Sequence, residues 1–249
     1  RALLLCTDDC EAVVGRVIRR QGAEAAVVET CLAILGDPRA ARVAEIEQAI
    51  ATTYAAWAGK PDPENRAAQI LSLVCRDRSY EPRIRAALER YRILPVVDLD
   101  REAANALPHK LPTRNWVCFF LARTLGNLAD PRSVDSLVAT LQQCPPEASL
   151  GHPDPTSPSA MFLQKDFTPC YRAAAAWALG QIGDRRAGPT LLAVIGDLNN
   201  ATDTRFAAAE SLARLHDPAH VEAARALAST YPEVSVRKAL LRLVAKQAR

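Results

Sequence analysis

Three copies of one short phrase lie in the C-terminal half of the chain. Residues 178–186 read ALGQIGDRR, and the same order of apolar, small, polar and acidic residues returns in TLGNLADP at 124–131 and in SLARLHDP at 211–218. Asp184 and Asp217 are 33 residues apart, which is the length of one unit in several families of helical repeats. The phrase therefore predicts a stack of repeated helix pairs.

A stack of this kind needs no central core, because each unit buries its apolar face on its neighbours. The composition agrees, since 49% of the 249 residues are hydrophobic but only 5% are aromatic, and small residues together with Leu suit close helix packing. Patterns typical of strands are nearly absent. We therefore predict an all-α fold, an alpha-alpha superhelix (solenoid) of about six antiparallel helix pairs.

Hydrophobic periodicity predicts two regions of the chain. Residues 113–249 are expected to hold regular repeats with an inserted loop at 144–169, and residues 1–112 to hold less regular helix pairs. The predicted helices of the regular region are 115–129 with 132–143, 171–183 with 187–195, 205–216 with 219–230, and a last helix at 234–246. Those of the first region are 9–21 with 25–35, 39–57, 66–76 with 82–92, and a shorter helix at 98–107.

Asp-Pro pairs mark three predicted corners, at Asp37-Pro38, Asp130-Pro131 and Asp217-Pro218. An Asp side chain can accept a hydrogen bond from an N–H group of the turn that follows it. Proline in the first turn of a helix removes no donor that the helix needs. Each pair therefore predicts a tight corner in which Asp caps the second helix of a pair.

These residues resemble the HEAT-repeat superfamily, and especially the short form called phycobilisome-lyase-like HEAT repeats, whose units read R-x-x-A-A-x-A-L-G-x-I-G-D before a second helix. Residues 171–186 follow that pattern nearly throughout, and residues 204–218 follow it closely. Residues 115–131 follow it in their second half but have Cys118 where the Arg would lie. The arginines at matching places in successive units are Arg172, Arg205 and Arg237.

The resemblance implies a right-handed superhelix whose second helices line the concave side. It does not fix a function, since the superfamily includes transport receptors, adaptors, phosphatase scaffolds, bilin lyase subunits, metal-dependent hydroxylases and base-excision glycosylases. The bilin lyase class leaves no short motif that this sequence could contain or lack, so an enzyme subunit of that kind stays an alternative. The other enzyme classes are expected to leave recognisable residues.

The residues of a di-iron hydroxylase are not present, because such a site uses His-Glu pairs as ligands and none of the four histidines is followed by Glu. His216 and His220 are four residues apart, but Pro218 between them predicts a capped corner with exposed imidazoles rather than a metal pair. A Cys-His arrangement stays open, since its members would meet only in space. We predict no catalytic residue, no metal and no cofactor.

The cysteines are expected to be reduced. Cys31, Cys75 and Cys118 fall in apolar helical runs, where a thiol usually packs as a small hydrophobic group. Cys144 and Cys170 bracket the inserted loop and could pair if the protein were exported. An odd total of seven cysteines favours a reducing compartment, and we predict a cytoplasmic location, with the natural polypeptide extending upstream of Arg1, where a targeting segment could lie.

Nucleic acid is not the expected partner, because the formal net charge is only +3. One cluster of arginines with two tyrosines could still form a base-excision-like groove. The acidic residues between them instead predict a solvated helix face with ion pairs along it. The cluster comprises Arg76, Arg78, Arg83, Arg85, Arg90, Arg92, Tyr80 and Tyr91, and the acidic residues are Asp77, Glu81 and Glu89.

The inserted loop has two interpretations. It can be a surface connection pinned by its apolar residues, or a recognition segment, since a purely solvated linker rarely contains Met161, Phe162, Leu163 and Phe167 so close together. Its length also favours a function. The sequence does not choose between the two.

We predict a non-catalytic scaffold or adaptor that binds a protein or peptide on its concave face. No apolar run is long enough to span a bilayer, and the oligomeric state is not predicted. The residues predicted to contact a partner are Arg132, Asp135, Gln142, Met161, Phe162, Phe167, Arg185, Arg186 and Asn199.

Overall fold

The computed structural model describes residues 22–39, 63–93, 113–143 and 171–247. In these ranges the chain forms α-helices and short 3-10 turns and contains no strand, so the prediction of an all-α fold is confirmed. The helices are α1 (Glu24–Ile34), α2 (Pro63–Val74), α3 (Glu81–Ile93), α4 (Thr113–Leu128), α5 (Val134–Gln143), α6 (Tyr171–Ile182), α7 (Gly188–Gly196), α8 (Thr202–Leu215), α9 (Val221–Thr230) and α10 (Val234–Gln247).

The chain divides into two compact units, Arg1–Thr124 and Leu125–Arg249. We call them unit 1 and unit 2. The predicted helices that fall within the described ranges begin and end within a few residues of those observed. The predicted helices at 9–21, 39–57 and 98–107 lie outside the described residues.

Each corner between a first and a second helix is built on an aspartate. Asp130 Oδ1 accepts a hydrogen bond of 3.0 Å from the N–H of Arg132, and Asp217 Oδ1 accepts one of 3.1 Å from the N–H of Ala219. The predicted cap is therefore present, but it closes a short 3-10 turn and not the α-helix itself. Three corners that differ in sequence have the same bond, at Asp37, Asp77 and Asp184.

The residue before the corner aspartate reverses the chain in the left-handed conformation. Gly183 has φ 76° there and Gly36 has φ 75°, which glycine adopts without steric cost. Ala129 and His216 hold the same place with φ 49° each. For a residue with a Cβ this conformation is unfavourable, so two corners of unit 2 contain a strain that the other two lack.

In unit 2 the first helices stack through their smallest residues. Helix α6 packs on α8, and α8 packs on α10. A Cβ added to Gly180 would lie 2.8 Å from the Cα of Ser211, and one added to Gly126 would lie 2.9 Å from the Cα of Ala178. The glycine of one phrase therefore faces the first residue of the next phrase, which explains why the phrase contains small residues at these places.

The second helices α5, α7 and α9 form another row, since α7 contacts both α5 and α9. Each second helix also packs against the first helix that follows it, α5 on α6, α7 on α8 and α9 on α10. Leucines from both rows fill the space between them with no exposed surface, including Leu137, Leu179 and Leu191. Unit 2 is thus a stack of helices in which each helix is held by its neighbours along the chain.

Unit 1 joins its helices through charge. Arg83 of α3 donates to both oxygens of Glu29 on α1, at 2.5 and 2.9 Å, and to Asp37 Oδ2 at 2.6 Å. Burial on its own would raise the pKa of the Asp37 carboxyl, but hydrogen bonds from Arg83 and Arg39 hold it below its ordinary value. The carboxyl is therefore ionised at neutral pH and links α1 to α3.

Candidate functional site

A buried arginine near the start of α6 connects three successive elements of unit 2. Only 4% of Arg172 is exposed. Its guanidinium donates to the carbonyl of Leu141, at the end of α5, over 2.9 Å, and to Asn200 Oδ1, before α8, over 2.5 Å. Asn200 in turn donates to the carbonyl of Val194. Arg172 therefore fixes where α5 ends and where α8 begins.

Arg205 of α8 repeats this arrangement one unit later. Its guanidinium donates to both carboxylate oxygens of Glu233, at 2.9 and 2.5 Å, and to the hydroxyl of Tyr231 at 3.2 Å. Tyr231 then donates to the carbonyl of Ile195 at the end of α7. The hydrogen bonds from Arg205 lower the pKa of Glu233, so the ion pair is formed at neutral pH. We call these two joints the arginine ladder.

A cleft of about 240 Å³ opens beside the first joint of the ladder, between α5 and α7. The floor includes the Arg172 guanidinium and Asn200. The cleft combines apolar walls with polar groups on its floor and rim, which is the usual character of a site that binds a side chain or a small group. The residues that line it are Leu141, Gln142, Arg172, Thr190, Ala193, Val194, Asp197 and Asn200.

Two of the predicted contact residues lie at or next to this cleft. Gln142 is exposed and lines it, and its Nε2 lies 3.5 Å from Oγ1 of Thr190 on the facing helix. Asn199 is exposed in the turn after α7, where its amide bonds to the carboxylate of Asp197, which also lines the cleft. The predicted surface and the cleft therefore meet at one edge.

The predicted charged residues lie together at the corners instead. Arg186 donates to Asp184 of its own corner and to Asp135 of the preceding helix, the latter at 3.3 Å. Arg132 donates to both oxygens of Asp130 at 3.0 and 2.7 Å. Arg185 is exposed beside them. These side chains are more than half exposed, apart from the corner aspartates, so they can still meet a partner.

The remaining predicted contacts, Met161, Phe162 and Phe167, lie outside the described residues, as does the inserted loop with Cys144 and Cys170. Sequence reasoning also missed residues that the cleft uses. Thr190 and Ala193 carry no signal of their own, and Asn200 follows a turn that reads as an ordinary loop. The one usable signal was the spacing of Arg172 and Arg205, which predicted a shared role but not its partners.

The arginine cluster of unit 1 is largely paired, as the alternating charges predict. Arg85 bonds to Glu81 and Glu89 along its own helix, and Arg90 donates to the carbonyl of Leu35 at 2.5 Å. Arg76 donates to two carbonyls at the end of α2. The cluster therefore satisfies helix ends and carboxylates in place of a phosphate backbone.

Other site classes find little support in the described ranges. Cys31, Cys75 and Cys118 are buried free thiols, as predicted, and burial raises the pKa of both Cys31 and Cys75 to about 12, so neither is a thiolate at neutral pH. No group of three or more His, Cys, Asp or Glu that could hold a metal ion occurs among the described residues. The prediction for His220 is wrong, since its imidazole is only 14% exposed beside Gly188.

No described helix combines the length and the apolar character that a membrane crossing requires. Residues 161–245, which include α6 to α10, match the family model for HEAT repeats. The chain is a HEAT-repeat protein. No curated protein matches it. The narrower resemblance to the short phycobilisome-lyase-like form stays a prediction.

HEAT repeats generally serve as scaffolds for protein interactions, and stacked repeats offer long surfaces for that purpose. The assignment explains the two rows of helices in unit 2. It does not say what the chain binds, which must be argued from the site.

Proposed function

We propose that this HEAT-repeat protein is a non-catalytic scaffold that binds a protein or peptide segment along the second helices of unit 2, anchored in the cleft between α5 and α7. The cleft is the observation that supports this proposal, because it is a recess on the row of helices that we expect to be concave. Its size suits one inserted side chain. A bound segment would continue over Gln142 and the paired charges at Asp135 and Arg186.

The chemistry of the cleft favours a segment with an apolar anchor next to a hydrogen-bonding group. Leu141, Ala193 and Val194 provide apolar contact. Asp197 and the Gln142 amide, at the rim, can accept from or donate to a peptide backbone. Because the guanidinium of Arg172 is already bonded to Leu141 and Asn200, it stiffens the floor and is not needed to hold the ligand.

Blocking the mouth of the cleft tests the proposal. Ala193 is exposed and lines the cleft, so Ala193→Arg places a long side chain across it without disturbing the core. Ala25→Arg is the matched control, an exposed alanine of α1 in unit 1. We expect purified partners, identified by affinity capture, to bind the Ala193→Arg variant at least about tenfold more weakly by calorimetry, which corresponds to about 1.4 kcal/mol.

The two variants must first show the same helical circular dichroism and the same melting temperature as the wild type. If every captured protein binds Ala193→Arg and Ala25→Arg equally, the cleft is not the anchor. A chromophore that co-purifies with the protein would instead favour the bilin-lyase-like alternative. Binding that weakens steeply with salt and needs DNA or RNA would favour the nucleic-acid alternative.

We further propose that Met161, Phe162 and Phe167 contribute to the same interaction as a recognition segment. Replacing all three by serine changes no residue of the described helices. Partner affinity is then expected to fall while the melting temperature stays the same. Unchanged affinity would leave the inserted loop as a plain connection.

A further inference from the structure

Helix α10 displays a face that the equivalent helices bury. Position by position, Arg237, Leu241 and Ala245 of α10 correspond to Arg205, Ala209 and Ala213 of α8. In α8 all three are buried. In α10, by contrast, Leu241 is 47% exposed, Ala245 is exposed and Arg237 is half-buried.

The same three places in α6 explain what this face is for. They are Arg172, Ala176 and Gly180, all buried, and Gly180 lies directly against Ser211 of α8. The face is therefore the one on which each first helix receives the next. On α10 it is extended by Val234, 51% exposed, and by the half-buried Val244. We call Val234, Arg237, Leu241, Val244 and Ala245 the open face.

The arginine on the open face lacks the partner that its equivalents have. Arg172 bonds to Asn200 and Arg205 bonds to Glu233, in both cases to the residue 28 positions further along the chain. Within the part of the chain that the structure describes, the Arg237 side chain forms no hydrogen bond or ion pair. A carboxylate or amide oxygen in front of an incoming helix would restore the joint.

The charge of α10 narrows the choice of occupant. The helix contains Arg237, Lys238, Arg242 and Lys246 and no acidic residue. A second copy that docked α10 against α10 would bring these charges together, which is unfavourable. An acidic helix would be attracted to them.

We propose that the open face of α10 binds an acidic amphipathic helix of another protein, which stacks as a further repeat would. Its apolar stripe packs on Leu241, Val244 and Ala245. A Glu or Asp just before its first turn pairs with Arg237 in the way that Glu233 pairs with Arg205. This surface is separate from the cleft between α5 and α7, so the two sites can be tested independently.

The chain itself provides the probe, since residues 231–247 are the segment that covers the equivalent face of α8. The acidic probe is a synthetic peptide of these residues with R237E, K238E, R242E and K246E. It keeps Tyr231, Glu233 and the buried apolar residues of α10. The unsubstituted peptide, which is basic, is the control for charge. Binding is followed by fluorescence anisotropy with the label at the peptide N-terminus.

Leu241→Asp and Arg237→Gln are the test variants of the protein, and Leu198→Asp is the matched control. Leu198 is 60% exposed, so its replacement is expected to leave the fold as intact as that of Leu241. The acidic peptide is expected to bind the wild type and Leu198→Asp equally, and at least about tenfold more tightly than the basic peptide does. Each test variant is expected to weaken it by at least about tenfold.

Three results would overturn the proposal. The first is binding of the acidic peptide that neither Leu241→Asp nor Arg237→Gln weakens, since the peptide would then occupy another surface. The second is equal binding of the basic peptide, or no binding of the acidic one at about 1 mM. The third is self-association of the wild type in sedimentation that Leu241→Asp abolishes, because a second copy would then be the occupant.

Discussion

Unit 1 and unit 2 use the same aspartate corners but hold their helices together differently. In unit 1, Arg83 bridges Glu29 and Asp37 and is still 15% exposed. In unit 2, Arg205 is 6% exposed and bonds to a carboxylate, a hydroxyl and a carbonyl. Unit 2 also brings its helix backbones together at Gly126 and Gly180. The corner is therefore a local device, whereas the joints between helices depend on burial and on what the next helix offers.

The largest effect is expected from removing the buried arginine of unit 2. Arg205→Met should lower the free energy of unfolding by about 3 kcal/mol, because it leaves the Tyr231 hydroxyl and the Asn200 carbonyl without their donor and breaks a buried ion pair. Arg83→Met should cost about half as much, since water reaches that pair. Urea unfolding followed by circular dichroism measures both. Equal losses would mean that burial does not distinguish the two units.

A single methyl group at the helix contact of unit 2 is expected to have the next largest effect. Gly180→Ala places a Cβ against Ser211 and should cost about 2 kcal/mol despite the better helix propensity of alanine. The double variant Gly180→Ala with Ser211→Gly removes the obstructing side chain and should recover part of the loss. A Gly180→Ala protein as stable as the wild type would show that α6 and α8 are not in close contact.

The corners themselves provide a smaller effect of opposite sign. Ala129→Gly should raise the free energy of unfolding by about 1 kcal/mol, because alanine is strained at φ 49° and glycine is not. Gly183→Ala at the equivalent corner should lower it by a similar amount. Thermal melts of the two variants beside the wild type give the comparison. A destabilised Ala129→Gly would mean that the strain at this corner is absent.

The smallest effect concerns acid. Asp37 and Glu233 have folded pKa values below their ordinary values of 3.8 and 4.5, so each contributes stability above those values that is lost as the pH falls through the lower folded pKa. The cost of Arg83→Met, and likewise of Arg205→Met, should therefore be smaller at about pH 2.5 than at about pH 7. Urea titrations at the two pH values test this. A cost that is unchanged or larger in acid would contradict it.

The sequence predicted what depends on nearby residues. An aspartate followed by a turn is satisfied within two residues, so the corners at Asp37, Asp130 and Asp217 could be read directly, and helix lengths followed from apolar spacing. The phrase AILGDP before Pro38 was missed as a relative of ALGQIGD, although Gly36 has the same left-handed conformation as Gly183. The partner of each ladder arginine could not be predicted, because Asn200 and Glu233 are brought close only by stacking.

The candidate site was predicted in part. Gln142 lines the cleft because it lies on the outer side of a second helix, which the helical period could indicate. Arg132 and Arg186 turn back onto their own corner aspartates, and the recurring Asp-x-Arg spacing was the signal that could have indicated it. The cleft itself depends on how closely α5 and α7 approach each other. No single residue type encodes that distance.

The arginine ladder constrains how such a chain can change in length. Each arginine is satisfied 28 residues further on, so a one-residue insertion between Arg172 and Asn200 would present the wrong side chain to the guanidinium. Duplication of a complete unit would keep the spacing intact. The unit that contains the long insertion has Cys118 at the arginine position. With no such joint to fix its length, that unit is the one place where the array could accept added residues.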